Sequence, residues 1–231
     1  MANAAILLAG GSSRRMQGYT EDKILLPLAG KPVFQHSLDT FLASGVVDTL
    51  VIVHRDEDHK AQLQALLPQS SSTEFLFVPG GAERMHSVHN GLKALEPHAP
   101  EIVFIHDAAR PLISAKLLQN LLDAARQHQA ACPATRVTDT LKRASTQVPS
   151  TLEPVSRENL WALQTPQTFQ YPLIREAYQK AVEANLQLTD DTSALAEQGG
   201  KVHLMENLDP NPKLTTPADL PLLEYLLKQS Q

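Results

Sequence analysis

The chain has 231 residues, 42% hydrophobic and 19% charged, with a formal net charge of −5 at pH 7. That length fits one large α/β domain over residues 1–231, big enough to sustain a core without staples. A weakly acidic chain lacks the broad cationic face that coating a nucleic acid requires, and no apolar run approaches the ~18 residues of a membrane span. The single cysteine, Cys132, excludes a disulfide framework within the chain and a Cys-rich metal site. It reads as a small core residue. The run Ala4–Ala9 is too short for a signal segment and follows no basic stretch, so the expected compartment is the cytoplasm.

In chain order, Ala4–Leu8, Thr49–His54, Glu74–Val78 and Ile102–His106 are short apolar runs that read as strands. Between them lie helical stripes. Pro32–Ala43 places Val33, Phe34, Leu38, Phe41 and Leu42 on one face, Arg84–Leu95 repeats the pattern, and Ser114–Gln127 adds Ser114 as an N-cap. Such alternation predicts a mostly parallel sheet covered by helices, with ligands bound beyond the carboxyl ends of the strands. The rhythm breaks after Pro133. Thr135–Arg157 is polar and extended and reads as a projecting β-arm, the alternative being a disordered loop. Regular patterning returns with a strand at Trp161–Thr165 and a helix at Leu173–Ala184. A short helix capped by Thr189 or Asp190 and a strand at Lys201–Met205 follow. Thr216-Pro217-Ala218-Asp219 opens the last helix.

Four clusters carry chemistry. Gly10, Gly11, Ser12 and Ser13 follow the first strand, where backbone N–H groups approach an anion closely. The spacing matches neither a Walker A loop nor the G-x-G-x-x-G fingerprint, which sets aside a nicotinamide dehydrogenase. Arg14, Arg15 and Lys23 next to this loop suit the polyanionic tail of a nucleoside triphosphate. The segment Gln17–Asp22 sets how Lys23 reaches it. Gly80-Gly81 with Ser87 offers main chain to a base or sugar edge; the plainer reading is a turn and a helix start with Arg84 solvated. In "HDAARP", Asp107 closes a buried strand, where it would hold a ribose hydroxyl or a Mg²⁺-bound water. Ala108 and Ala109 leave room for a ligand, and the alternative role of Asp107 is a turn-closing pair with Arg110. His106 reads as a packed strand-end residue, and no histidine spacing suggests zinc. The fourth cluster, Thr140, Arg157, Thr165, Thr189 and Lys213, suits a second, small phosphorylated substrate.

The stretches AGGSSRRM with Lys23, GGAERMHSV, HDAARP, DTLK, VSRENLW, TPQ, TDD and NPKLTTPAD run in this order from Leu8 to Asp219. With them the chain resembles the 2-C-methyl-D-erythritol 4-phosphate cytidylyltransferases. The resemblance implies a Rossmann-like nucleotidyltransferase fold of the GT-A-like kind, with a projecting arm that interlocks a homodimer. It implies transfer of CMP from CTP to methylerythritol phosphate with Mg²⁺, in the non-mevalonate isoprenoid route. By matching positions, Arg15 and Lys23 would stabilise charge on the α-phosphate. Ala9, Gly10, Gly11, Gly81, Ser87, Asp107 and Ala108 would line the CTP site. Arg157 and Lys213, with Arg110, Thr140, Thr165 and Thr189, would hold the second substrate, Arg157 acting from the arm in the partner's site. Two departures stand out: Ser13 replaces a frequent glycine, and the stretch from Arg15 to Lys23 is one residue longer. Ribitol-phosphate cytidylyltransferases share most of these motifs, and molybdenum-cofactor nucleotidyltransferases share only the first. A non-catalytic nucleotide-binding module would be expected to lack Lys23 or Lys213, and both are present.

Overall fold

A computed structural model of the protein describes residues 2–16, 18–146 and 151–229. Gln17 and residues 147–150 of the expected arm lie outside these. The first strand, β1 (Asn3–Leu8), shows why the sheet forms. Ala5 and Leu7 face one core while Ala4 and Ile6 face another, all fully buried. A strand covered on both sides has to be a continuous apolar run. A small hairpin, β2 (Pro27–Leu28) and β3 (Lys31–Pro32), leads into α1 (Val33–Ser44). Then come β4 (Thr49–His54), α2 (Glu57–Gln64), β5 (Glu74–Pro79), α3 (Arg84–Ala94), β6 (Ile102–Asp107), α4 (Ala115–His128) and β7 (Ala130–Arg136). The hairpin β8 (Leu141–Ala144) and β9 (Leu152–Val155) follows, then β10 (Trp161–Leu163), β11 (Gln167–Gln170) and α5 (Tyr171–Glu183). The chain finishes with α6 (Asp191–Ala196), β12 (His203–Glu206) and α7 (Leu220–Gln229).

β6, β1, β4 and β5 run parallel side by side, and β11 enters antiparallel between β6 and β7. β10 and β12 also join β7, completing an eight-stranded sheet. Leucines and phenylalanines of α1, α4 and α7 fill one face. The apolar sides of α3, α5 and α6 fill the other. This is the expected α/β nucleotidyltransferase-type architecture, with helices on both faces. β8 and β9 form a separate two-stranded sheet, as the polar extended segment suggested.

Local signals hold in detail. Ser114 accepts the N–H of Leu117 at 3.1 Å and caps α4, a contact worth about 1 kcal/mol. Asp190, not Thr189, caps α6, accepting from the N–H of Ser193. The Thr216 signal opens a 3-10 turn at Pro217–Asp219 that passes directly into α7. Three elements carried no clear sequence signal. α2 buries only His59 and Leu63, so its stripe is too thin to read. β11 is four residues long. β7 contains Pro133, which argues against a central strand. The chain solves this by position: β11 pairs with Ala130 and Ala131, β10 begins opposite Ala134, and Pro133 falls in the gap. There its carbonyl accepts the N–H of Gln164 at 2.8 Å. A strand residue points its carbonyl and its N–H to the same side, so no neighbouring strand meets the missing donor.

Candidate active site

The parallel strands β1, β4, β5 and β6 end at Leu8, His54, Pro79 and Asp107, and a cleft of about 400 Å³ opens beyond them. Its walls gather residues from distant parts of the chain: Ala9, Gly10 and Gly11, then Lys23, then Gly81 and Ser87, then Asp107, then Lys213. The residues expected to line a nucleotide site, Ala108 excepted, thus meet in one place, together with Lys213, which was expected at the second substrate.

The first loop is shaped by close packing. A Cβ on Gly10 would lie 3.1 Å from the His54 carbonyl oxygen, so glycine lets this turn sit against β4. Ser13 adopts φ +48°, a left-handed conformation that glycine takes most easily. What the serine adds is a hydroxyl that accepts the Lys23 N–H at 3.1 Å. The departure at this position therefore ties the loop to the lysine that follows it. Asp22 is fixed as well: one oxygen accepts the Ile24 N–H at 3.1 Å. The other lies 3.1 Å from Nε2 of buried His59 and 3.4 Å from Arg55. Lys23 is thus braced on both sides, and its Nζ donates to the Leu214 carbonyl at 2.7 Å. Burial, helped by the charges of Lys213 and Arg15, lowers its pKa to about 8.

On the opposite wall, a Cβ on Gly81 would come within 2.2 Å of the His86 Cβ, so only glycine fits there. The Ser87 hydroxyl accepts the Gly81 N–H at 3.0 Å and closes this second loop. At the floor, Asp107 Oδ2 accepts from Lys213 Nζ at 2.5 Å, and Oδ1 lies 3.4 Å from Arg84 Nε. Burial alone would raise the Asp107 carboxyl. Arg84 and Lys213 outweigh it and hold the group well below the usual carboxylate range. The turn is closed by the backbone, the Arg110 N–H donating to the Asp107 carbonyl at 3.0 Å, and not by a pair of the two side chains. Arg110 instead donates to the Asn211 carbonyl at 2.6 Å and anchors the segment carrying Lys213.

Thr165 lies behind the floor, buried, where its hydroxyl accepts the Asp107 N–H at 3.1 Å and meets His106 Nδ1 at 3.0 Å. Nε2 of His106 lies 3.2 Å from the Arg110 carbonyl. Burial lowers the His106 pKa to about 3, so it stays neutral and packs, as expected. Ala108 is buried behind the wall, while Ala109 reaches the cleft. Arg14 lines the cleft; Arg15, the next residue of the 3-10 turn Arg14–Met16, is exposed and does not line it. The remaining expected site residues are not brought to this cleft. Thr140 is exposed beside the hairpin, Arg157 is exposed and donates to the Thr138 carbonyl, and Thr189 hydrogen-bonds Ser193 at 2.8 Å.

Sequence reading missed Arg55, which has no motif around it, and the part played by Arg84. Arg84 is half-buried and paired: it makes a bidentate pair with Asp191 at 2.8 and 2.7 Å. The signal was the adjacent Asp190 and Asp191, two carboxylates opening one short helix. For a metal, the cleft offers the carboxylates of Asp107 and Glu83. No group of three His, Cys, Asp or Glu converges among the described residues. That donor set suits Mg²⁺, which keeps waters and binds chiefly through substrate phosphates.

A family model described as 2-C-methyl-D-erythritol 4-phosphate cytidylyltransferase (IspD) matches residues 3–229. A protein of that name from Geobacillus thermodenitrificans is 38% identical, over 96% of each chain. Its counterpart from Geobacillus kaustophilus is 39% identical, again over 96% of each. Among solved structures, the 4-diphosphocytidyl-2C-methyl-D-erythritol synthase of Anaerococcus prevotii superposes with a TM-score of 0.83 at 28% identity, covering 98% of this chain and 96% of its own. The cytidylyltransferase of Thermus thermophilus gives 0.79 at 28% identity, covering 99% and 100%. With the family model spanning nearly every residue and these relatives matched end to end, the chain belongs to the 2-C-methyl-D-erythritol 4-phosphate cytidylyltransferase family.

Proposed function

We propose that the protein transfers CMP from CTP to 2-C-methyl-D-erythritol 4-phosphate, releasing pyrophosphate, in the supply of isoprenoid precursors. The observation that carries this is the meeting of Lys23 and Lys213, from opposite ends of the chain, across a glycine-walled cleft with Asp107 at its floor. In this reading the Gly10–Gly11 turn approaches the triphosphate closely, and Lys23 with Arg15 faces the α-phosphate. Gly81 and Ser87 meet the base, and Asp107 accepts from a ribose hydroxyl. Lys213, held by Asp107, faces the sugar phosphate.

The attacking group is a phosphate oxygen, ionised at neutral pH, so no general base is needed. It forms a bond to the α-phosphorus as the bond to the pyrophosphate oxygen breaks. The obstacle is bringing two anions together, and oriented cations in a partly desolvated site remove it. This accounts for the lysines and arginines that line the cleft. Mg²⁺, carried on the triphosphate beside Asp107, would supply further neutralisation of phosphate charge.

The hairpin suggests a homodimer. In this reading a second copy packs against the arm, where Leu152 on β9 is 65% exposed. Arg157, exposed at the arm's return, would then exchange the Thr138 carbonyl for the partner's cleft, together with Thr140. Consumption of CTP places the working enzyme in the cytoplasm, and no helix among the described residues is long and apolar enough to cross a membrane. The direct test supplies CTP, Mg²⁺ and one sugar phosphate at a time and measures pyrophosphate. Release with methylerythritol phosphate is expected. Release only with ribitol 5-phosphate would move the substrate, and release with neither would remove the assignment.

A further inference from the structure

Asp191 is fully buried at the start of α6, yet it carries no role in the cleft. Its two oxygens receive the two terminal nitrogens of Arg84 at 2.8 and 2.7 Å. The Tyr178 hydroxyl, from α5, donates to Oδ1 at 2.5 Å. The Asp191 backbone N–H donates to Gln167 Oε1 at 3.0 Å, which pins the helix start to β11. Arg84 in turn presents Nε to Asp107, 3.4 Å away, and Asp107 holds Lys213 at 2.5 Å. A continuous chain therefore runs Tyr178–Asp191–Arg84–Asp107–Lys213 from the core to the cleft, with carboxylates and cations alternating.

The geometry divides labour along this chain. A guanidinium is a rigid planar fork, and a bidentate grip fixes both its place and its plane. With its two terminal nitrogens committed to Asp191, Arg84 offers only Nε to one oxygen of Asp107. The second oxygen is left to Lys213. Burial and the Asp191 charge keep the Tyr178 hydroxyl protonated and donating. Without the Asp191 charge, the fork would turn toward Asp107, the carboxylate already beside it, and displace Lys213.

We propose that Asp191 and Tyr178 are positioning residues, which hold the Arg84 fork so that Asp107 and Lys213 stand in fixed places in the cleft. The proposal rests on the function given above for what the cleft binds. An ion pair that only tied α3 to α6 would change melting temperature and leave the kinetics of the folded enzyme alone.

The test uses the full chain. Asp191→Asn is expected to lower kcat/KM for CTP about thirtyfold, within the range of lost supporting contacts around a site. Tyr178→Phe keeps the ring and loses one hydrogen bond; about a threefold loss is expected, and this variant carries the kinetic test if Asp191→Asn does not fold. In an Arg84→Lys background, where no fork remains to orient, Tyr178→Phe should have no further effect. Independently of any substrate, acylation of Lys213 by an amine reagent, followed by peptide mass spectrometry, should be faster in Asp191→Asn than in wild type. Lowered melting temperature with unchanged kcat/KM overturns the proposal, as does an equal Tyr178→Phe loss in both backgrounds. A wild type that releases no pyrophosphate counts against the proposed function alone; the Lys213 acylation rates of wild type, Asp191→Asn and Tyr178→Phe then decide the network.

Discussion

Lys23 is the side chain whose state most directly links the structure to a rate. A lysine ordinarily titrates near 10.5; burial beside Lys213 and Arg15 brings this one to about 8. Only the protonated form attracts a triphosphate, so the charge is present below pH 8 and is lost as pH rises through it. The expected outcome is that kcat/KM for CTP falls above about pH 8. At saturating CTP the bound polyanion pulls the pKa back up, so the fall in kcat comes at higher pH. A pH profile of both parameters checks this. Lys23→Ala should lower kcat by about a hundredfold, the scale of losing one charge-stabilising contact in a transition state, measured by pyrophosphate release. Cys132 behaves oppositely: burial pushes its thiol up to about 12. It should resist a maleimide in the native protein and react once the chain unfolds, which a mass measurement in and out of denaturant detects.

Elements place these residues, and their glycines set tolerances. Gly81→Ala would force a Cβ to within 2.2 Å of the His86 Cβ at the start of α3. The loop must then shift, costing about 1–3 kcal/mol, and with it goes the Gly81 N–H bond to Ser87. A lower melting temperature together with a raised KM for CTP is expected; a lowered melting temperature alone would place the loop outside the nucleotide site. How legible such elements were depended on their patterning. β1, β4 and β6 are short unbroken apolar runs and could be read directly, as could the stripe and Ser114 cap of α4. β7 could not, because Ala-Ala-Cys-Pro-Ala has neither alternation nor branched residues, and its Pro133 is accommodated only by where its neighbours stop. In the site, glycines and isolated cations declared themselves by standing after strands. The Arg84–Asp191 pair was hard to read: 107 residues separate its members, and nothing around Arg84 itself distinguishes a paired arginine from a solvated one.

At the scale of the whole molecule, the hairpin offers a test of assembly. If Arg157 works in the partner's cleft, Lys23→Ala and Arg157→Ala are each nearly inactive, but mixing them after co-refolding restores one intact site per mixed dimer. About a quarter of the wild-type rate is then expected, since about half of the randomly formed dimers are mixed. Recovery of none would put Arg157 in its own chain's site or outside the mechanism, and light scattering reports the dimer separately. The alternation of strand and helix made the sheet foreseeable. Which edge β10, β11 and β12 would take was not, because those strands are three or four residues long and find their places only by pairing with β7 and β6.

The hydrogen bond from Lys23 to the Leu214 carbonyl joins positions 191 residues apart. During synthesis the loop of Gly10 and Gly11 leaves the ribosome early, and the central strands follow, while Lys213 and Leu214 are still to be made. A nascent chain of this protein therefore carries the glycine loop and the facing Gly81–Ser87 wall without the second lysine. It acquires its paired lysines only as the segment after β12 closes over the sheet. Chemistry is in this way reserved for the finished polypeptide, and a ribosome that stalls late leaves a fragment rich in structure but without a working site for nucleotides.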